Sequence, residues 1–296
     1  MSASRGPGGS FCGGALALNG NGEQACKVIY ENYNPSSGIA PLKKGRHTIG
    51  YAIGIREKES FTAAFGVDKE PFMRLFGLLH ETGHALIHAS KPTPDNPYSE
   101  CVADAYAALS CFQRFGNDAA ELLSLVSWSR VLKSVVSDTK HLTTPVLDKI
   151  IADSAGEDFS KLSQADIIER AESYAKDWTP RAPVLAATRP DFVQNGPVNF
   201  RQLAEKCFSP ASNDFSFYLG ERLVRPYLKD QDGITYEGTK VWFPDEYRRE
   251  MAATIRERNG GQSMQERFNA AMTQPEAAPS PESPKLVARL GKNNPQ

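Results

Sequence analysis

Two histidines four residues apart, His80 and His84, with Glu81 between them, are the residues of this chain best suited to chemistry. They lie in the apolar run 72–87, whose pattern predicts a helix. Four residues make about one helical turn, so both imidazoles project from the same face. That spacing lets both hold one zinc ion. Glu81, at the edge of the same face, can then take a proton from a water activated by the ion. A catalytic zinc takes three protein ligands and keeps a further position open, so a third ligand must come from elsewhere.

The segment Ser99-Glu100-Cys101-Val102-Ala103-Asp104 offers one. Glu100 and Asp104 are again four apart and share a face if the segment is helical, with Ser99 as its N-cap. Pro92, Pro94 and Pro97 forbid continuation of the first helix, so the chain turns back and the second helix lies beside the first. Glu100 is thereby brought to the metal. Asp104, one turn on, is placed to accept the second ring N–H of a ligating histidine and fix its tautomer. Its neighbours Cys101, Val102, Ala103, Tyr106, Ala107 and Ala108 are mostly apolar, which argues for a buried acidic pair that needs partners.

With both segments in view, His80–His84 followed by Glu100–Asp104 resembles the gluzincin class of zinc metallopeptidases, whose third ligand is a Glu on the next helix. Within that class, His80-Glu81-x-Gly83-His84 with His88 four residues on, and Glu100-x-x-Ala103-Asp104-x-Tyr106-Ala107, are similar to ImmA/IrrE-type peptidases. Residues 98–111 are also similar to the peptidase half of ArdC-like antirestriction proteins. The resemblance covers residues 45–115. It implies a zincin-like core, zinc as cofactor, His80, His84 and Glu100 as ligands, and Glu81 as general base in hydrolysis of a protein or peptide substrate. Glu100 follows His84 more closely than in the thermolysin branch, so the connecting loop must be tight. No helix-turn-helix regulator accompanies the motif.

Hydrolysis at such a site also needs a donor for the developing oxyanion. His141, in the interhelical stretch 140–143, and Tyr106 are the candidates. A catalytically inactive zincin-like scaffold that binds a partner, or an effector module, is the alternative reading of the same residues. Other metal chemistry is disfavoured. The metzincin pattern needs Gly and His where Ile87 and Ser90 stand. His88 shares the face of His80 and His84 but lies a full turn beyond, suited to packing. The five cysteines, Cys12, Cys26, Cys101, Cys111 and Cys207, form no Cys-x-x-Cys pair and read as free thiols of a reducing compartment.

The chain of 296 residues is long enough for a substantial core. Its 34 basic and 35 acidic residues nearly cancel, which gives no nucleic-acid footprint. No apolar stretch suits a membrane span or a signal-peptide core, so cytoplasmic residence is expected, although a specialised secretion route would leave no mark in these residues. Nothing in the pattern sets an oligomeric state.

The elements that must position the site follow from punctuation. Residues 1–22, Gly- and Ser-rich, are expected to be flexible, 23–155 to form the zincin-like core, 156–272 a mostly helical region walling the cleft, and 273–296 a disordered tail. The expected fold class is therefore α+β, with a small edge sheet beside the active-site helix. Residues 48–55 and 61–67 read as strands, and 26–33 as a short helix or strand. Pro71 suits the first turn of the motif helix, with Asp68 as its cap. Helices are expected over 119–136 (cap Asp118), 144–151, 167–178 (opened by Ser163-Gln164-Ala165-Asp166), 200–208 and 244–258, a loop over 179–198, and a hairpin over 233–243.

Overall fold

The computed structural model describes residues 15–18, 24–30, 38–44, 47–54, 69–90, 96–136, 139–192, 199–229, 234–236, 239–241 and 244–260. Nine α-helices occur among them: α1 (Glu70–Ser90), α2 (Pro97–Phe115), α3 (Ala119–Val136), α4 (Thr144–Asp153), α5 (Gln164–Trp178), α6 (Ala182–Phe192), α7 (Phe200–Cys207), α8 (Asp214–Lys229) and α9 (Asp245–Asn259). The backbone also traces strands β1 (Ala15–Leu18), β2 (Gln24–Tyr30), β3 (Gly38–Lys44) and β4 (His47–Gly54), in the order β1-β2-β4-β3. Only β2 and β4 run parallel. A hairpin pairs β5 (Ile234–Tyr236) with β6 (Thr239–Val241).

The expected α+β class is corrected to a mostly helical one. Of the residues whose side-chain surroundings are described, 86 % are helical and none lies in a strand. The physical reason lies in α2. From Ser99 to Phe112 every one of its residues is buried, so it needs neighbours on all sides rather than a sheet on one. Helices α1, α3, α4 and α5 supply them. Its run of alanines, Ala103, Ala105, Ala107 and Ala108, all without solvent exposure, lets those neighbours come close.

Two apolar clusters result. One joins Met73 and Phe76 of α1, Leu109 and Phe112 of α2, Leu147 and Ile150 of α4 and Ile167 of α5. The other joins Trp128, Val131 and Val135 of α3 to Leu203 of α7, Leu219 and Leu223 of α8 and Met251 of α9. Between them runs a buried polar network. Asp148 accepts from Ser127 Oγ at 2.7 Å and Tyr218 OH at 2.7 Å, and pairs with Arg222 at 3.1 Å. Every oxygen of the buried carboxylate thus has a donor, which is what makes its burial tolerable.

Several local expectations are revised. Ser99 is not the N-cap of α2: Asn96 is, its side chain accepting from the Ser99 N–H at 2.9 Å. Pro97 takes the first helical position, where its missing N–H costs nothing, so the helix starts earlier. The stretch 179–198, expected as loop, contains α6, and α8 was not expected at all, because Gly220 and Pro226 interrupt its pattern. Gly220 is needed there, since a Cβ would lie 2.4 Å from Cys207 Cβ. At α5 the expected opening at Ser163–Asp166 holds: the two residues form a capping box and the helix runs from Gln164. The 26–33 stretch overlaps strand β2, and β1 falls within the segment expected to be flexible. Asp68 and the stretches 61–67 and 273–296 lie outside the described residues. No helix among the described residues is long and apolar enough to cross a membrane.

Candidate metal centre

Helices α1 and α2 pack together where Gly83 faces Ala103, and this close approach assembles the site. A Cβ on Gly83 would lie 2.9 Å from Ala103 Cα and 3.2 Å from its carbonyl oxygen, both backbone atoms that cannot swing aside. The Gly of the motif therefore sets the helix separation. Gly83→Ala is expected to destabilise the metal-free fold by about 1–3 kcal/mol, as overpacking does. Chemical denaturation of the two proteins would check this, and equal midpoints would refute it.

At that contact His80 and His84 of α1 meet Glu100 of α2, with ligand-capable atoms all within 4.8 Å of one another. The two Nε2 atoms are 3.2 Å apart, and Glu100 Oε2 lies 3.5 Å from His80 Nε2 and 3.6 Å from His84 Nε2. Glu100 Oε2 is buried and has no hydrogen-bond partner. A buried carboxylate oxygen left without a donor is costly, and a cation between it and the two nitrogens would satisfy all three atoms. The residues fit a metal ion.

The opposite ring nitrogens are held by other groups. His80 Nδ1 is 2.6 Å from Asp104 Oδ1, and because an ionised Asp only accepts, Nδ1 carries the proton and Nε2 is left for the shared point. His84 Nδ1 is 3.2 Å from Ser99 Oγ. Asp104 itself has no solvent exposure and receives Arg130 Nη2 at 2.7 Å, Arg130 Nε at 2.8 Å and the Thr143 hydroxyl. Against the cost of burial, the Arg130 charge and His80 hold its carboxyl well below the usual carboxylate range.

Electrostatics separate the two glutamates. Burial pushes Glu81, 8 % exposed, above the ordinary carboxylate value, and His80 and His84 only partly offset that. Burial acts in the same sense on Glu100, but the adjacent His84, His80 and His141 bring it down to about 2. Burial works against protonation of His80, yet the charge of Asp104 and its hydrogen bond to the ring raise the pKa overall.

The sequence-derived residues thus fall as follows. His80, His84, Glu100, Glu81 and Asp104 come together. His141 joins them: its Nε2 is 3.4 Å from Glu100 Oε1, and burial lowers its pKa to about 4, while its Nδ1 is buried without a hydrogen-bond partner. Lys140 Nζ is 3.9 Å from the same oxygen. Tyr106 is instead engaged by Gln164 Nε2 at 2.6 Å. The side chain of His88 lies outside the described ones. Arg130, Thr143 and the Ser99 hydroxyl were not anticipated as parts of the site. Arg130 falls 26 residues beyond Asp104 on a helix that reads as ordinarily amphipathic, so no local signal marks it.

Comparison with known proteins leaves this geometry to stand by itself. No protein-family model, no curated protein and no solved structure matches the chain.

Proposed function

We propose that this protein is a zinc-dependent metallopeptidase in which His80, His84 and Glu100 hold the ion and Glu81 is the general base. The observation that carries the reading is the convergence of His80 Nε2, His84 Nε2 and the partnerless Glu100 Oε2, at 3.2–3.6 Å from one another, beside a second buried carboxylate. Tetrahedral zinc with bonds of about 2.0–2.1 Å places neighbouring ligand atoms about 3.4 Å apart. An octahedral ion with bonds of about 2.1 Å would draw them to about 3.0 Å. Two imidazoles and one carboxylate also suit the chemistry of zinc.

Bound zinc would supply Lewis acidity toward a carbonyl and a water. The chain's own residues do the rest. Glu81, with its elevated proton affinity, is suited to accept a proton and pass it to a leaving amine. Asp104 and Ser99 keep the two imidazoles oriented, and His141 engages the other oxygen of Glu100. A peptide as substrate is supported by the likeness of His80–His84 and Glu100–Asp104 to gluzincin peptidases.

The test is direct. Purified zinc-loaded protein is incubated with a mixture of proteome-derived peptides, and new termini are counted by mass spectrometry. New termini that vanish with 1,10-phenanthroline and return with zinc are the expected result. Zinc bound at one per chain with no cleavage of any peptide would refute the peptidase reading while leaving the metal centre in place.

A further inference from the structure

We propose that Arg130 is the positioning residue of the metal centre: its guanidinium locks Asp104 in the single orientation that aims His80 at the metal. The proposal rests on the reading of His80, His84 and Glu100 as metal ligands. A carboxylate that touches one imidazole is free to rotate about its own side-chain bonds unless its other lone pairs are taken. Here they are taken. Arg130 Nη2 donates to Oδ1 at 2.7 Å and Nε donates to Oδ2 at 2.8 Å, a two-point fork that fixes the plane of the carboxylate. Thr143 Oγ1 donates to Oδ2 from the residue just before α4. The remaining direction at Oδ1 is filled by His80 Nδ1 at 2.6 Å.

The anchor is itself rigid. Arg130 sits on α3 between Val126 of the first apolar cluster and Val131 of the second, and its side chain is 11 % exposed. Its carbonyl accepts from Ser134 Oγ at 2.8 Å. The buried charge of Asp104 is thereby neutralised by a group that stays charged at any working pH, and His80 is oriented by a helix outside the metal-binding motif. A lysine could not reproduce this, since its ammonium is a point charge without the planar fork.

The experiment compares wild type, Arg130→Met, Arg130→Lys and Thr143→Val. Zinc affinity is read by competition with a chromogenic chelator, the visible bands of the cobalt(II)-substituted proteins report ligand geometry, and circular dichroism reports fold. Loss of groups that orient a metal-bound histidine typically costs about 10–100-fold in affinity. Arg130→Met is expected to fold, to bind zinc 10–100-fold more weakly and to shift the cobalt bands, with Arg130→Lys in between. Thr143→Val, which leaves the ion pair intact, is expected to show the same spectral change in smaller degree and serves if Arg130→Met does not fold. Wild-type affinity and an unshifted cobalt spectrum in folded Arg130→Met, or in Thr143→Val in its stead, would overturn the proposal. A wild type that binds neither zinc nor cobalt would overturn the metal reading first.

Discussion

Glu81→Gln is expected to keep its metal and its fold and to lose peptide-bond cleavage by about 10²–10⁴, the usual cost of removing a positioned acid–base group. The substitution preserves size and shape but removes the ability to accept a proton. Glu81 is not one of the three converging ligands, so one zinc per chain should remain. The measurement is the rate of cleavage of a peptide found by the termini experiment, at matched zinc content. Equal rates for wild type and Glu81→Gln would remove Glu81 from the chemistry.

Removal of a ligand should have the second large effect. His80→Ala, His84→Ala and Glu100→Ala are each expected to take zinc content from about one per chain to near zero after dialysis, because two remaining ligands make a poor site. Asp104→Ala should weaken binding without abolishing it, since Asp104 touches His80 Nδ1 and not the shared point. Inductively coupled plasma measurement of metal in each purified variant discriminates these cases. Retention of full zinc by Glu100→Ala together with loss by Asp104→Ala would exchange the two roles. Folding should survive metal removal in the wild type, because the ring nitrogens away from the shared point are held by Asp104 and Ser99 whether or not an ion is present.

The residues at the centre were readable from spacing because helical periodicity is a local property. His80 and His84 share a face, and so do Glu100 and Asp104, at any position in a helix. The prolines at 92, 94 and 97 likewise dictate that the two helices be separate. Most of the helices after Phe115 announced themselves through caps and apolar stripes, as Ser163 with Asp166 does for α5.

What the linear order could not decide is which helices meet. Short strand-like runs in the first 67 residues suggested an α+β class, whereas the burial of α2 on every side required helices around it, and only packed volumes express that demand. Gly83 belongs to the motif in sequence, but its packing role appears only when Ala103 lies 2.9 Å from where its Cβ would be. Arg130 and Thr143 carry the same lesson. A partner for a buried carboxylate is chosen by three-dimensional proximity, and α3 and the turn before α4 deliver those donors to Asp104 from 26 and 39 residues away along the chain. Sequence determined the chemistry available at each helical face; tertiary packing determined which faces share one point, because close-packed helices leave a buried charge only the partners that the fold brings to it.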